Sequence, residues 1–298
     1  ELQNVINNKP TYEDLFIISK ILIDRDKNSF HEISFNVSKR KNTDMHNIYE
    51  DSWAVIIGID EYQDKPLKYA VNDAQAIYNI LLEDFHFSRE NIMLLNNSEA
   101  TLSNIKKSLI RTAKSAKSND RILVFFAGHG ATETSYDGTQ KNGYLIPIDG
   151  SLDDAFATGL DMDFIEKLCG HSNAKHMLFL MDACYSGLMA ENTRGLSRDK
   201  NDNYLNKVVN NRARQIITAG SANESALERD EWQHSAFTIN LLDALNNLKA
   251  DIDGDKFLTT EELGIYLRKS VTESTNGKQT PQVANFKHSK GGEFVFFK

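Results

Sequence analysis

The sequence predicts an α/β fold with a mostly parallel central sheet of about six strands and helices on both faces. Three observations carry that expectation. Runs such as Trp53–Ile59, Arg121–Ala127 and Lys175–Met181 are apolar, of strand length, and end abruptly in small or acidic residues. Strands buried on both faces read this way. Between them lie segments whose apolar residues recur every three to four positions, the mark of an amphipathic helix. The 298 residues are enough for one large domain, with or without an appendage.

Residues 1–50 stand apart. They are polar, rich in Asn and Lys, weakly patterned, and expected to form an N-terminal extension or linker. Within them Thr11 is placed to cap a short helix around Leu15–Leu22, and Ile33–Val37 alternates as a strand does. The main domain is expected over 51–298. Its first strand, Trp53–Ile59, ends at Asp60, and Ala70, Val71, Ala74, Ile77, Tyr78, Leu81 and Leu82 predict the helix after it. Asn91–Leu95 predicts a second strand, and Leu102, Ile105, Leu109, Ile110 and Ala113 a second helix. The Arg121–Ala127 strand follows, then Gly143–Ile146, a short helix over about 161–168, and the strand leading to Cys184. The polar stretch Glu191–Asn206 breaks this rhythm and is expected to be a connecting loop between 51–190 and 207–298. Beyond it the pattern predicts a strand over Gln215–Gly220, helices over Phe237–Leu248 and Leu263–Val271, and a closing strand over Glu293–Phe297.

Lys plus Arg number 34 against 42 Asp plus Glu, a formal net charge of −8. That balance argues against nucleic acid or an anionic membrane as a partner. No apolar run approaches the roughly 20 residues that span a bilayer. Glu1-Leu2-Gln3-Asn4 is not the start of a signal peptide, so a cytoplasmic location is expected; the missing initiator Met points to a longer parent chain. The two cysteines, Cys169 and Cys184, are too few for a disulfide framework and fit a reducing compartment.

Ligands of open α/β sheets bind outside the carboxyl ends of the strands, and two strand ends carry reactive side chains. Cys184 closes the run His176–Ala183 and is followed by Tyr185-Ser186-Gly187; His129 follows Arg121–Ala127 and stands between Gly128 and Gly130. A thiolate can attack a carbonyl while an imidazole takes the thiol proton and later delivers it to a leaving amine. The tetrahedral intermediate needs backbone N–H donors aimed at its oxygen, and those of Gly130 and Cys184 are the candidates. The flanking glycines let the chain turn tightly and let a substrate approach the backbone.

Ala127-Gly128-His129-Gly130 together with Asp182-Ala183-Cys184-Tyr185-Ser186-Gly187 resembles the caspase-like cysteine peptidases, closest to their metacaspase and bacterial branch. His129 precedes Cys184 by 55 residues, close to the spacing of about 50 in caspases. Trp53–Ile59 and Leu67–Ala74 resemble the family's opening strand and first helix; Ser221–Ala226 and Ser235–Thr238 resemble a segment of its small subunit. The resemblance implies a caspase-type α/β sandwich with a large-subunit-like part over 51–190 and a small-subunit-like part over 207–298. It also implies cleavage of proteins by Cys184 and His129. Animal caspases carry a basic pocket and a Gln-Ala-Cys pattern, whereas this chain has Asp182-Ala183-Cys184. In metacaspases the pocket is acidic, and its two Asp positions match Asp182 and Asp73. Arg or Lys before the cut is therefore expected. The family's pocket Cys and the Ser two before the His are replaced by Ala70 and Ala127.

The expected partner is a protein substrate, with regulation by a domain or activator outside this chain. Self-cleavage is expected in the Glu191–Asn206 loop after Arg194, Arg198 or Lys200, which the acidic pocket would accept. The alternative is a silent caspase-fold domain that binds partners without chemistry. No cofactor is required for the Cys-His reaction, and the metal question centres on calcium. Asp251–Glu262 resembles an EF-hand loop with carboxylates at positions one, three, five and twelve, but Lys256 replaces the glycine of the sharp turn. Thr259 and Glu262 equally make a capping box for the last helix. At the metacaspase calcium site Asp161 matches one ligand, while Met162 and Glu191 depart from the pattern. His171, His176 and His234 show no partner pattern, and Tyr62 and Trp232 are expected to pack rather than bind.

Overall fold

The computed structural model describes residues 48–134, 138, 141–184, 191–192, 202–220, 224 and 227–298. Its centre is a seven-stranded sheet in the order β2-β1-β3-β7-β9-β13-β8. The strands are β1 (Ser52–Gly58), β2 (Ile92–Asn96), β3 (Arg121–Ala127), β7 (His176–Cys184), β8 (Glu191–Asn192), β9 (Ala213–Gly220) and β13 (Gln282–Asn285). The first five in that order run parallel; β13 and the two-residue β8 close one edge antiparallel. The expected sheet of about six strands is thus found.

Apolar residues on both faces of β1, β3, β7 and β9 explain the nearly continuous runs in the sequence. One face packs Val55, Ile57, Val124, Phe126, Phe179 and Met181 against helices α2 (Leu102–Ser115) and α3 (Met162–His171). The other packs Ile56, Phe125, Leu178, Leu180 and Ile217 against α1 (Ala70–Asp84), α5 (Ala236–Leu245) and α6 (Thr260–Ser274). At the carboxyl end of β1, a Cβ on Gly58 would lie 2.5 Å from the Ala70 carbonyl oxygen. The absent side chain lets α1 start directly over the sheet.

Two expectations change, and Gly143–Ile146 gains an assignment. Glu293–Phe297 does not close the main sheet: Val295–Phe296 (β14) pairs with Leu258–Thr259 (β12) in a separate antiparallel ribbon. The sheet's last full strand is β13, whose four residues carry only Val283 and Ala284 as apolar signal. The Glu191–Asn206 stretch is not wholly irregular. Its first two residues form β8, and α4 (Asp202–Asn210) takes up its end because Tyr204, Leu205, Val208 and Val209 fall on one face. Gly143–Ile146 belongs largely to a small antiparallel sheet of β4 (Gly130–Thr134), β5 (Lys141–Leu145) and β6 (Leu160–Asp161). The readings on residues 1–47 lie outside the described residues. Among the described residues no helix is long and apolar enough to cross a membrane.

Candidate active site

β3 and β7 are neighbours in register from Arg121↔His176 to Ala127↔Asp182. His129 therefore stands just beyond, and Cys184 at, the carboxyl ends of adjacent strands. The Gly128 N–H donates to the Asp182 carbonyl at 3.3 Å, tying the two strand ends together. A register shift between Met181 and Cys184 then brings Cys184 opposite Gly220 of β9. Of Cys184 the structure describes the backbone alone.

His129 is held by the loop that follows β1 and by Ile146, just beyond β5. Its backbone N–H donates to the Tyr62 hydroxyl at 3.0 Å, and that hydroxyl donates to the Ile146 carbonyl at 2.7 Å. The Tyr62 and His129 rings lie 4.5 Å apart. A Cβ on Gly128 would sit 2.5 Å from the Tyr62 oxygen, so the glycine is what lets Tyr62 reach beneath the histidine. The His129 Nε2–H donates to the Lys65 carbonyl at 2.6 Å. That bond assigns the ring proton to Nε2 and leaves Nδ1 as the basic nitrogen. Lys65 adopts a φ of 55°, a left-handed conformation unusual for a residue with a side chain. Burial lowers the His129 pKa, partly offset by the Lys65 bond, which favours the neutral imidazole. Tyr62 is thus more than packing, and Lys65 acts through a carbonyl that no side-chain pattern could reveal.

Asp73 and Asp182 come together from distant elements. Asp73 lies in the first turn of α1 and is 1% exposed; Asp182 lies two residues before the end of β7 and is 3% exposed. Ser235 joins them. Its N–H donates to Asp73 Oδ2 at 3.2 Å and its hydroxyl donates to Asp182 Oδ2. The Thr238 hydroxyl adds a second donor to Asp182 Oδ2 at 2.8 Å. Asp182 Oδ1 is buried with no hydrogen-bond partner among the described residues. Burial and the nearby Asp73 push the Asp182 carboxyl up to about 7. Burial also raises Asp73, and the His234 imidazole pulls it back. His234 was expected to lack a partner; its Nδ1–H donates to Asp73 Oδ1 at 2.6 Å. The start of α1 is fixed by two acids from elsewhere. Asp60 accepts from the N–H groups of Ala70 and Val71, and Glu228 from those of Lys68 and Tyr69.

Of the other sequence candidates, Gly130 opens β4 opposite Leu145, where its backbone adjoins His129. Arg194, Arg198 and Lys200 lie outside the described residues. Cys169 is buried in the core and its thiol is pushed up to about 12, which fits an inert role. Asp161 caps α3 by accepting from the Asp163 N–H at 2.8 Å. Asp251, Asp253 and Asp255 cluster with oxygens within 4.8 Å of one another. Lys256 does not prevent that turn: it takes a φ of 72°. Glu262, at position twelve, instead accepts from Ile252 N–H at 3.1 Å and Thr259 N–H at 3.0 Å, the latter completing the capping box of α6. The twelfth carboxylate is therefore engaged by backbone N–H groups at both oxygens, one from the loop and one from the cap of α6.

A parallel sheet with a histidine and a cysteine at neighbouring strand ends, covered by helices on both faces, defines the caspase class of fold. The chain belongs to that family: a model of the caspase domain matches residues 51–290. It is 33% identical over 146 residues to metacaspase-4 of Arabidopsis thaliana, covering 45% of this chain and 33% of that protein. It is 32% identical over 106 residues to metacaspase-1A of Aspergillus oryzae, covering 32% of this chain and 25% of that protein. The matches thus span a quarter to a third of the length of these relatives. Among solved structures, protein GSU0716 from Geobacter sulfurreducens superposes with a TM-score of 0.54 at 16% identity, covering 78% of this chain and 92% of that one. Caspase-1 from Spodoptera frugiperda gives 0.51 at 15%, covering 79% and 86%. At such identity the likeness shows a shared fold.

Proposed function

We propose that this chain is a cysteine endopeptidase that cleaves proteins after Arg or Lys, with Cys184 as nucleophile and His129 as base and acid. The observation that carries the reading is the acid pair. Asp73 and Asp182 share Ser235, are almost wholly buried, and leave Asp182 Oδ1 without a partner among the described residues. Two buried carboxylates repel each other, and a guanidinium or ammonium would satisfy both.

In the reaction, His129 Nδ1 takes the Cys184 thiol proton while the Lys65 carbonyl holds Nε2–H. The sulfur bonds to the substrate carbonyl carbon, and the N–H groups of Gly130 and Cys184 receive the resulting oxyanion. As the tetrahedral intermediate collapses, the C–N bond breaks and His129 gives its proton to the leaving amine. Water, losing its proton to His129, then hydrolyses the thioester and frees Cys184. Replacing Cys184 or His129 by Ala is expected to lower turnover of a fluorogenic Arg peptide by on the order of 10³-fold or more, with folding intact. A folded variant of either kind with wild-type turnover, or an unmodified Cys184 after treatment with an alkylating active-site probe, would refute the reading.

A further inference from the structure

His234 and Ser235 form β11, the second strand of a hairpin whose first strand, β10, is Glu228–Arg229. The hairpin leads straight into α5, where Ser235 is the N-cap. Its two consecutive residues hold the two oxygens of Asp73: the His234 Nδ1–H takes Oδ1 at 2.6 Å and the Ser235 N–H takes Oδ2 at 3.2 Å. The His234 side chain is 19% exposed while that of Asp73 is 1% exposed, so the imidazole is the outer wall of the acid pair. Glu228 of the same hairpin caps the start of α1, locking hairpin and helix together. A carboxylate restrained at both oxygens cannot rotate about its terminal torsion, and pre-organisation of this kind lowers the cost of binding.

We propose that His234 is a positioning residue that sets the selectivity of the acidic pocket. It keeps Asp73 facing Asp182, so that one planar cation can bridge both acids. The inference rests on the acidic-pocket reading above. Without the imidazole donor, Asp73 loses the partner that offsets its burial and gains rotational freedom, so its carboxylate no longer holds the orientation that faces Asp182. The loss then falls on binding of a basic side chain and spares the thiol and imidazole steps.

The test compares fluorogenic peptides with Arg or Gln before the scissile bond, on the whole chain, in three forms: wild type, His234→Leu and His234→Asn. Leu fills the space without a donor; the Asn amide can stand where Nδ1–H was. The wild type is expected to prefer Arg, and His234→Leu to lose about tenfold of the Arg-to-Gln ratio of kcat/KM through KM, the size of one hydrogen bond to a charged group. His234→Asn should recover most of it. If Leu does not fold, His234→Ala is read in the same way. A wild-type preference for Arg that survives the loss of the donor, or that Asn fails to restore, overturns the role of His234 and leaves the acidic pocket standing. A wild type that treats Arg and Gln alike overturns both.

Discussion

Asp182 carries opposing demands. Its carboxyl is pushed up to about 7 by burial and by Asp73, so the folded state binds a proton there that the unfolded chain has released above about pH 4. A group raised on folding contributes stability below its unfolded pKa, and loses it as pH rises through the folded value. Between about pH 4 and 7 the wild type therefore sheds stability through Asp182, on the order of 2–4 kcal/mol. Asp182→Asn removes that dependence. Its carbonyl oxygen can still accept from Ser235 and Thr238, and its amide takes the place of the unpartnered oxygen. Thermal melts should show the variant gaining on the wild type at pH 8 relative to pH 5, while its preference for Arg over Gln substrates falls. An unchanged difference in Tm across that range would show that Asp182 does not titrate there. Stability is given up at this residue for a charge that the proposed substrate requires.

At the scale of elements, the amino end of β9 is fastened by Arg214. This buried guanidinium donates to the carbonyls of Cys169, Ser172, Ala174, Lys175 and Ala213. The carbonyls at the carboxyl end of α3 have no further turn to accept from, and Arg214 and Arg212 supply donors in its place. Burial lowers Arg214 to about 10, which leaves it charged at neutral pH. Its fork of five N–H groups matches the ring of acceptors as a lysine ammonium cannot. Arg214→Met should cost about 3–5 kcal/mol in chemical denaturation, because several buried carbonyls lose their partner at once. A loss below about 1 kcal/mol would mean that water replaces the guanidinium.

Over the whole molecule, the site is assembled from both halves of the chain. His129, Cys184 and Asp73 come from before the Glu191–Asn206 stretch, and Ser235, Thr238 and His234 from after it. The halves share the central sheet, because β7 and β9 are parallel neighbours from His176↔Ala213 onward. Cutting after Arg194, Arg198 or Lys200 would sever no residue of the β7–β9 ladder. Self-processed protein is therefore expected to show two chains by intact mass, yet elute as one species in native gel filtration. Cys184→Ala protein should remain a single chain under the same incubation. Equal nicking of that variant would assign the cut to another protease, since exposed polar loops are favoured sites for any of them. Separation of the fragments without denaturant would show that the sheet does not hold the halves together.

Sequence alone determined the parts of this protein that depend on local pattern. Apolar runs of strand length and helical spacing are local signals, so β1, β3, β7, β9 and the main helices were legible within a few residues. The Thr259–Glu262 capping box, four residues long, was legible for the same reason. The placement of His129 and Cys184 at strand ends followed from apolar runs that stop at small residues. Tertiary structure decided what depends on meeting across the chain. Lys65 contributes a backbone carbonyl, which every residue possesses, so nothing in its identity marks the contact with His129. Asp73 and His234 lie far apart in sequence, and only the docking of the β10–β11 hairpin on α1 makes them partners. The short β13 carries too little apolar signal to stand out, and pairing with β9 makes it a strand. Local composition selects elements because each residue's backbone preference is short-ranged. The site depends on distances of about 3 Å between residues remote in sequence, and only packing of the whole core sets those.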